Sequence, residues 1–553
     1  MVKVFCKNSG EYAEFPEGTL LIDAIDSFDF PKPLPILAAK VNNVVEGLKF
    51  RLFSNKEVEF LDYGSYAGRS VYCRSLCFLL SKASLDVCPG SHITMRRPIS
   101  KGYFCELTKA SGEAASIQDI DAIRERMSEL VQRKEEFHRH DVQVDEAIEL
   151  FSSLNCWDKV KLLKTCGKVY VSYYTLEDTP DMYFDVMLPN VEYLKVWGIE
   201  PYRGGILLRV PDRHHPERLA PFIEQPKTFE VLKESLRWNN IMGLRNVGDV
   251  NVAIQHGQAT DLIQVSEALQ EKKIVQIAEE IDRRYRSDGV RMVLITGPTS
   301  SGKTTVCKRL SVQLKACGLK PVSCSTDDYF VNRVETPLLP DGSYDFDNFD
   351  TVDHEAMQND LLKLLDGQEV QVPEYNFVTG IREYNGKTLR LEDNTVLIVE
   401  GIHALNPALT DKIEDSLKYK IFINAMTSLP LDDHNSFSTS DNRLLRRIVR
   451  DFNNGSFSAQ QTISAWPNVR RSEVKWIYPY QESADVMFNS AYLVEFAVLR
   501  SHAERILATV PKNAREYSEA NRLMKILSYF LPVSDKDVPA TSLLRGFIGG
   551  TNL

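Results

Sequence analysis

The sequence predicts a multidomain protein whose C-terminal half is an α/β domain with a parallel sheet, preceded by a small β-rich module and an α+β domain. Three observations carry this. At 553 residues the chain exceeds what one hydrophobic core organises. From "VRMVLITG" onward, continuous apolar strands ("LKPVSCST", "NTVLIVEG", "YKIFIN") alternate with helical stretches, the pattern of a sheet covered on both faces. Finally, "GPTSSGKT" at 297–304 joins the first of those strands to a helix, which is the context of a phosphate-binding loop.

Residues 1–62 read as the strands "MVKVFC", "EYAEF" and "KEVEFLDY" around a helical "LLIDAI", with the proline-rich "FPKPLPI" between them. Residues 63–225 mix helices, "YCRSLCFLLSKA" and "SIQDIDAIRERMSELVQRKEEF", with the strands "KVYVSYY" and "GGILLRV". Ser116 is placed to cap the second helix, and Ile120, Ile123, Met127 and Val131 form its apolar stripe. The segment "VPDRHHPERLAPF", with His214 and His215, reads as the loop leaving this domain. Residues 226–283 form a helical connector ending in the amphipathic "DLIQVSEALQEKKIVQIAEEIDRRY", and residues 284–553 make up the α/β domain.

A net charge of −10 and a pI near 5.6 argue against a general affinity for nucleic acid or anionic membrane, so any RNA contact of the N-terminal domains would be a local patch. The ten cysteines lack the paired spacings of a zinc site, and Cys73 and Cys77 read as reduced core residues. The N-terminus alternates like a strand rather than a signal peptide, and no segment is long and apolar enough to span a bilayer. The expectation is a cytoplasmic protein without membrane contact; the sequence leaves open whether it forms a homo-oligomer.

The chemistry concentrates in the α/β half. Glycines let successive backbone N–H groups face a phosphate, and the following helix adds its positive end. Gly297, Pro298, Thr299, Ser300, Ser301, Gly302, Lys303, Thr304 and Thr305 are therefore the candidate ATP-binding residues. In such a loop Lys303 reaches the β and γ phosphates and the Thr304 hydroxyl holds Mg²⁺. Glu400 ends the strand "VLIVEG", while Asp327 and Asp328 follow the strand "LKPVSCST", at the carboxyl edge where ligands of open α/β sheets collect. A carboxylate there coordinates Mg²⁺ or accepts a hydroxyl proton. The base-reading Asn-Lys-x-Asp of a GTPase is missing, which favours a small-molecule kinase. In "SDNRLLRRIVRDF", Arg443, Arg446, Arg447 and Arg450 fall on one helical face with Asp441 as a cap, a basic surface suited to closing over phosphate.

In order and spacing, "GPTSSGKT", "STDDYF", "NFD", "PEYNFV", "VEGIHAL" and "NRLLRRIVRD" resemble the uridine kinase and phosphoribulokinase family across residues 285–553. The resemblance implies an ATP- and Mg²⁺-dependent kinase that phosphorylates a ribose 5′-hydroxyl, with uridine or cytidine as the default acceptor. It makes Asp327 the catalytic base beside Lys303, and Thr304, Glu400 and Asp327 the Mg²⁺ environment. Asp350 of "NFD" corresponds to the carboxylate for the ribose hydroxyls, Tyr375 with Phe330 to the acceptor's aromatic neighbours, and Arg443 with Arg446 to the arginines near ribose and phosphates. Two positions depart from the pattern. Gly380 stands where animal-type members carry a pyrimidine-reading histidine, and Asn454 stands where a lid arginine is expected, with Arg470 and Arg471 as the alternative source of that charge.

The first sixty residues resemble the ubiquitin-like TGS module, a β-grasp fold, and "GRSVYCRSLCFLLSKA" through "ISKGYFCEL" resembles the editing domain of threonyl-tRNA synthetase. The two editing histidines, four apart on one helix, are replaced by Arg74 and Phe78, and no later Cys-x-x-x-His completes such a site. Editing hydrolysis is therefore not expected. Two further readings stay open: a kinase for another nucleoside or a sugar phosphate, and an ATP-dependent RNA-binding regulator with weak or no kinase activity.

Overall fold

The protein is described from a computed structural model covering residues 1–339, 342–427 and 429–553. At the N-terminus, Val2–Cys6 pairs antiparallel with Glu11–Phe15 and parallel with Lys56–Asp62, beside which Ile36–Val41 and Val44–Glu46 complete a five-stranded sheet. The helix Leu21–Ala24 buries Leu21 and Ala24 among Val4, Leu52, Val58 and Phe60. The strand Ile36–Val41 lies where the sequence reading places only a proline-rich run. It begins as soon as those prolines end, because each proline removes a ladder donor.

The next unit is organised on the helix Tyr66–Val87, which is buried along most of its length. An antiparallel sheet ordered Gly198–Tyr202, Gly205–Arg209, Gly102–Thr108, His92–Ile99 packs with it, and a second one joins Phe137–Gln143, Tyr170–Leu176 and Thr179–Asp181. Ser116 caps the helix Ile117–Arg133 reciprocally with Asp119. Its buried stripe is Ile120, Ile123, Met127 and Leu130; Val131 is only partly buried, since the core-facing step here is three residues rather than four.

Helices Pro226–Ile241, Val247–Gln255 and Ala259–Ser287 lead into the α/β half. Its sheet is wholly parallel, in the order Lys320–Ser325, Thr395–Glu400, Met292–Thr296, Lys418–Asn424, Val486–Asn489. Alternation explains why these strands read as unbroken apolar runs. Val293, Ile295, Ile398 and Ile421 face the helix Lys303–Ala316, while Met292, Leu294, Leu397 and Phe422 face Met357 and Leu361 of the helix His354–Leu365.

A third core lies outside the sheet and joins the two halves. Leu444, Leu445, Ile448 and Val449, the apolar face of the arginine-rich helix Thr439–Asn453, pack into one cluster with Phe151, Val160 and Leu163 from the N-terminal half and Val247 and Ile263 from the connecting helices. That helix is capped by Ser438, with Asp441 answering from the third position of a capping box, rather than by Asp441 itself. All ten cysteines are free, and Cys73 and Cys77 are buried. Among the described residues no helix is long and apolar enough to cross a membrane.

The junction core includes a stack of Phe437, Phe496 and Phe530, with ring centroids 4.9 Å, 5.3 Å and 5.1 Å apart. Phe437→Ala is expected to destabilise the protein by about 3–5 kcal/mol, read as a lowered denaturation midpoint with both halves unfolding together.

Candidate active site

The phosphate-binding loop follows the fully buried strand Met292–Thr296. The Thr296 hydroxyl lies 2.8 Å from the Gly401 carbonyl and 2.7 Å from that of Ile402, tying the ends of two neighbouring strands together. A side chain at 297 is excluded, because its Cβ would stand 2.0 Å from the Ile423 carbonyl oxygen. Ser300 and Gly302 hold the left-handed conformation, φ 60° and 90°, which curls the loop into the helix Lys303–Ala316.

What fixes the loop from outside is a set of donors to its carbonyls. Arg443 Nη1 donates to Thr299 O at 2.9 Å, Arg446 Nη1 to Ser300 O at 3.3 Å, and Ser490 Oγ to Ser301 O at 2.5 Å. Carbonyls held outward leave the loop's N–H groups facing its concave side, which suits an anion. Both arginines are fully buried. Arg443 makes a two-pronged pair with Glu473 and also donates to Tyr478 Oη at 3.1 Å, and Arg446 makes a two-pronged pair with Glu495 under the ring of Phe547. The structure therefore gives these two residues, expected beside ribose and phosphates, the task of bracing the loop. Arg450 and Arg447, the other two of the run, are the ones whose charge acts on Lys303 and on Asp347 respectively.

Lys303 curls back to donate to Gly297 O at 2.9 Å. Burial holds its pKa below the ordinary lysine value, and Glu400 and Asp327 counteract that shift. Burial in turn raises both carboxyls, against the pull of Lys303. The Thr304 side chain lies close enough to Glu400 to pull its pKa back down. Glu400 sits opposite Ser325 in the register, and the turn carrying Asp327 begins one residue later. Gly401 makes that approach possible: a Cβ there would meet Thr326 Oγ1 at 1.7 Å. Thus Lys303, Thr304, Asp327 and Glu400 converge on one crevice.

Phe330, Tyr375 and Phe377 meet edge to face, with centroids 5.1–6.2 Å apart. Tyr375 is buried, and its hydroxyl finds no partner among the described residues. Asp350 does not join this group; its carboxylate is mostly exposed and lies 3.9 Å from His354. Asp347, not singled out from sequence, lies instead near Arg447, Glu473 and Lys303. Burial pushes it up to about 6, against the charges of Arg447 and Lys303, next to Glu473. The available signal was the alternation in "YDFDNF", which places Asp347 between two phenylalanines. His403 lies wholly buried with its ring 5.4 Å from Phe349, and burial pushes it down to about 4, so it stays neutral.

The departures also resolve spatially. Gly380 has φ 74°, and a Cβ there would stand 2.7 Å from Arg333 Nε; the guanidinium of Arg333 fills the space and donates to Phe377 O at 2.5 Å. Asn454 ends the arginine-rich helix. Arg470 donates to Glu473 at 2.9 Å and to Tyr478 at 3.2 Å, and Arg471 donates to Asn468.

A fit for Mg²⁺ rests on donor chemistry. Thr304, Glu400 and Asp327 offer hard oxygen donors, and a metal that keeps waters and substrate phosphates in its shell needs only one or two carboxylates. Among the described residues no group of three His, Cys, Asp or Glu is placed to hold a metal ion by itself.

The profile of the Phosphoribulokinase / Uridine kinase family matches residues 292–496. The chain is 30% identical over 178 residues to a uridine kinase of Mycoplasma genitalium, covering 32% of this chain and 74% of that protein. A uridine kinase of Clostridium botulinum is 26% identical over 197 residues, covering 35% and 86%. The N-terminal part is similar to a threonine--tRNA ligase of Porphyromonas gingivalis, 25% identical over 186 residues, or 34% of this chain. The chain spans only 28% of the length of that ligase.

Histidine at position 380 is expected not to restore a base-reading contact. Gly380→His should destabilise the protein by about 1–3 kcal/mol in thermal melts and leave its preference among nucleosides unchanged in competition assays.

Proposed function

The chain belongs to the phosphoribulokinase / uridine kinase family, whose fold is that of an ATP-dependent phosphotransferase, and from that premise we propose that it transfers the γ-phosphoryl group of ATP to the 5′-hydroxyl of a nucleoside, with uridine or cytidine as the default acceptor. The observation that carries this is the convergence of Lys303, Thr304, Asp327 and Glu400 on one crevice beside the aromatic group of Phe330, Tyr375 and Phe377.

In this reading the loop from Gly297 to Thr305 cradles the ATP phosphates, and Lys303 follows the charge of the group in transit. Asp327 accepts the proton of the attacking hydroxyl, and its raised pKa makes it a stronger base than an exposed carboxylate. Mg²⁺, when bound through Thr304, Glu400 and Asp327, supplies charge neutralisation between the phosphates. Asp347 takes the ribose diol, the role the sequence reading gives to Asp350, and the aromatic edges hold the base. Arg447 and Arg450, which share Asp451 at 3.2 Å and 3.7 Å and are less deeply buried than Arg443 and Arg446, provide the positive field over the phosphates.

The N-terminal half fits a TGS-like β-grasp module and an editing-like domain that has lost its chemistry. Phe78 packs against Phe137 and Tyr183, and Arg74 donates to Val186 O at 2.6 Å, so neither position offers a general base.

Purified protein incubated with ATP, Mg²⁺ and a panel of nucleosides and sugar phosphates should release ADP only with an acceptor, and Asp327→Asn should lower kcat by about 10²–10⁴-fold. ADP release indifferent to every acceptor, or full activity in Asp327→Asn, would overturn the reading. Because Asp347 carries its proton up to about pH 6, acceptor affinity should weaken as pH falls through that value. In Asp347→Asn that pH dependence of acceptor KM should disappear, together with an increase in KM. The stability sign is opposite: a carboxyl raised in the fold destabilises it once ionised, so Asp347→Asn should flatten the loss of stability as pH rises from 4 to 6.

A further inference from the structure

The helix Thr439–Asn453 has one end in the N-terminal half and its middle on the phosphate loop. The segment before it, Leu431–Asn435, is fastened to the N-terminal half by a buried polar network. Met95 N donates to Asp433 O at 2.7 Å, and Asn435 Nδ2 donates to Met182 O at 2.8 Å. His434 places Nδ1 2.6 Å from Asp181 and Nε2 3.1 Å from the Ile93 carbonyl. Nδ1 also lies 3.5 Å from Lys159 Nζ; against burial and that neighbouring ammonium, the Asp181 carboxylate raises the pKa of His434, which favours the imidazolium. Lys159, more deeply buried than His434, pairs with Asp181 at 3.2 Å and lies 3.9 Å from Asp432. Charges this deeply buried hold their geometry or cost several kcal/mol, so the segment has essentially one seat.

From that seat the helix begins. Ser438 caps it, and Asp441 in its first turn is gripped by Arg522 at 2.6 Å. One turn further, Arg443 and Arg446 hold the carbonyls of Thr299 and Ser300. The helix is stiffened on its far side by the apolar cluster shared with Val160 and Leu163. A rotation or shift at Leu431–Asn435 is therefore delivered to two consecutive peptides of the phosphate loop across the short stretch 436–438, which the buried Phe437 anchors.

We propose that the N-terminal half positions the ATP-binding loop, with His434, Asp181 and Arg522 as positioning residues that act through the helix Thr439–Asn453. This rests on the reading that the loop holds ATP, and gives the synthetase-like half a task in this chain that does not depend on RNA or on editing chemistry. The N-terminal half acts as the fixed mount against which the loop's curvature is set. Its effect falls first on ATP binding, because two loop carbonyls are held directly by the helix, whereas the aromatic group and Asp327 hang on other elements and Asp347 meets the helix only through the charge of Arg447.

The test uses the full chain. Binding of ATP with Mg²⁺ is measured by calorimetry, and KM for ATP, KM for the acceptor and kcat are measured separately. His434→Gln keeps one donor and loses the other, and Arg522→Gln, at a half-buried position, releases the buried Asp441. Each should raise Kd and KM for ATP by about three- to thirty-fold while acceptor KM stays within about twofold. Lysine at 522 should recover part of the loss. A folded His434→Gln and a folded Arg522→Gln that both bind ATP like the parent would overturn the proposal, as would equal changes in ATP and acceptor KM. If His434→Gln does not fold, Arg522→Gln decides alone. A parent protein that binds no ATP would instead defeat the reading of the loop, which keeps the two failures apart.

Discussion

The architecture depends on two guanidinium–carboxylate pairs buried where the arginine-rich helix crosses the phosphate loop. Arg443 with Glu473 and Arg446 with Glu495 are removed from water, and each arginine also donates to a loop or strand-end oxygen. Such pairs add little net stability compared with apolar side chains of the same volume, but losing one partner leaves a charge stranded in the interior. Their contribution is definition of geometry. They determine which way the peptides at 299 and 300 point, and through those peptides whether the loop presents N–H groups to a phosphate.

That arrangement also marks where sequence reasoning stopped. Spacing put Arg443, Arg446, Arg447 and Arg450 on one helical face, which is correct, but a face has no assigned neighbour until the fold supplies one. Glu473 and Glu495 come from later elements, and nothing local in the sequence announces that two of four arginines will be neutralised by them. The phosphate loop, Asp327 and Glu400 were legible because their signals are local: a loop joined to a buried strand, and carboxylates at the ends of adjacent strands. Asp347 and Asp350 illustrate the limit. Both sit in the same short acidic stretch, and only the burial of one against Lys303 and Arg447 distinguishes them.

At the level of the fold, the parallel sheet was readable from strands apolar on both faces, and the helix at 117–133 from its cap and stripe. The strand at 36–41 was hidden by the prolines before it, and the capping role shifted from Asp441 to Ser438 because a capping box offers two side chains and the sequence does not rank them. The junction between the halves was the least legible part. A buried Lys159 and an imidazolium at His434 are stable only as members of a network assembled from four separate stretches of chain, so neither residue carries a pattern that could be read in isolation.

The packing of Arg333 on Gly380 has a consequence for how acceptor choice can change over time. A side chain cannot be added at 380 until Arg333 has been shortened or has swung away, and the left-handed backbone must also be relieved. Neither step improves base recognition alone, and each first loosens the hairpin on which Tyr375 sits. Preference at this position is therefore separated from its alternatives by at least two coupled substitutions, so a stepwise search through single changes would meet a valley in fitness before any gain.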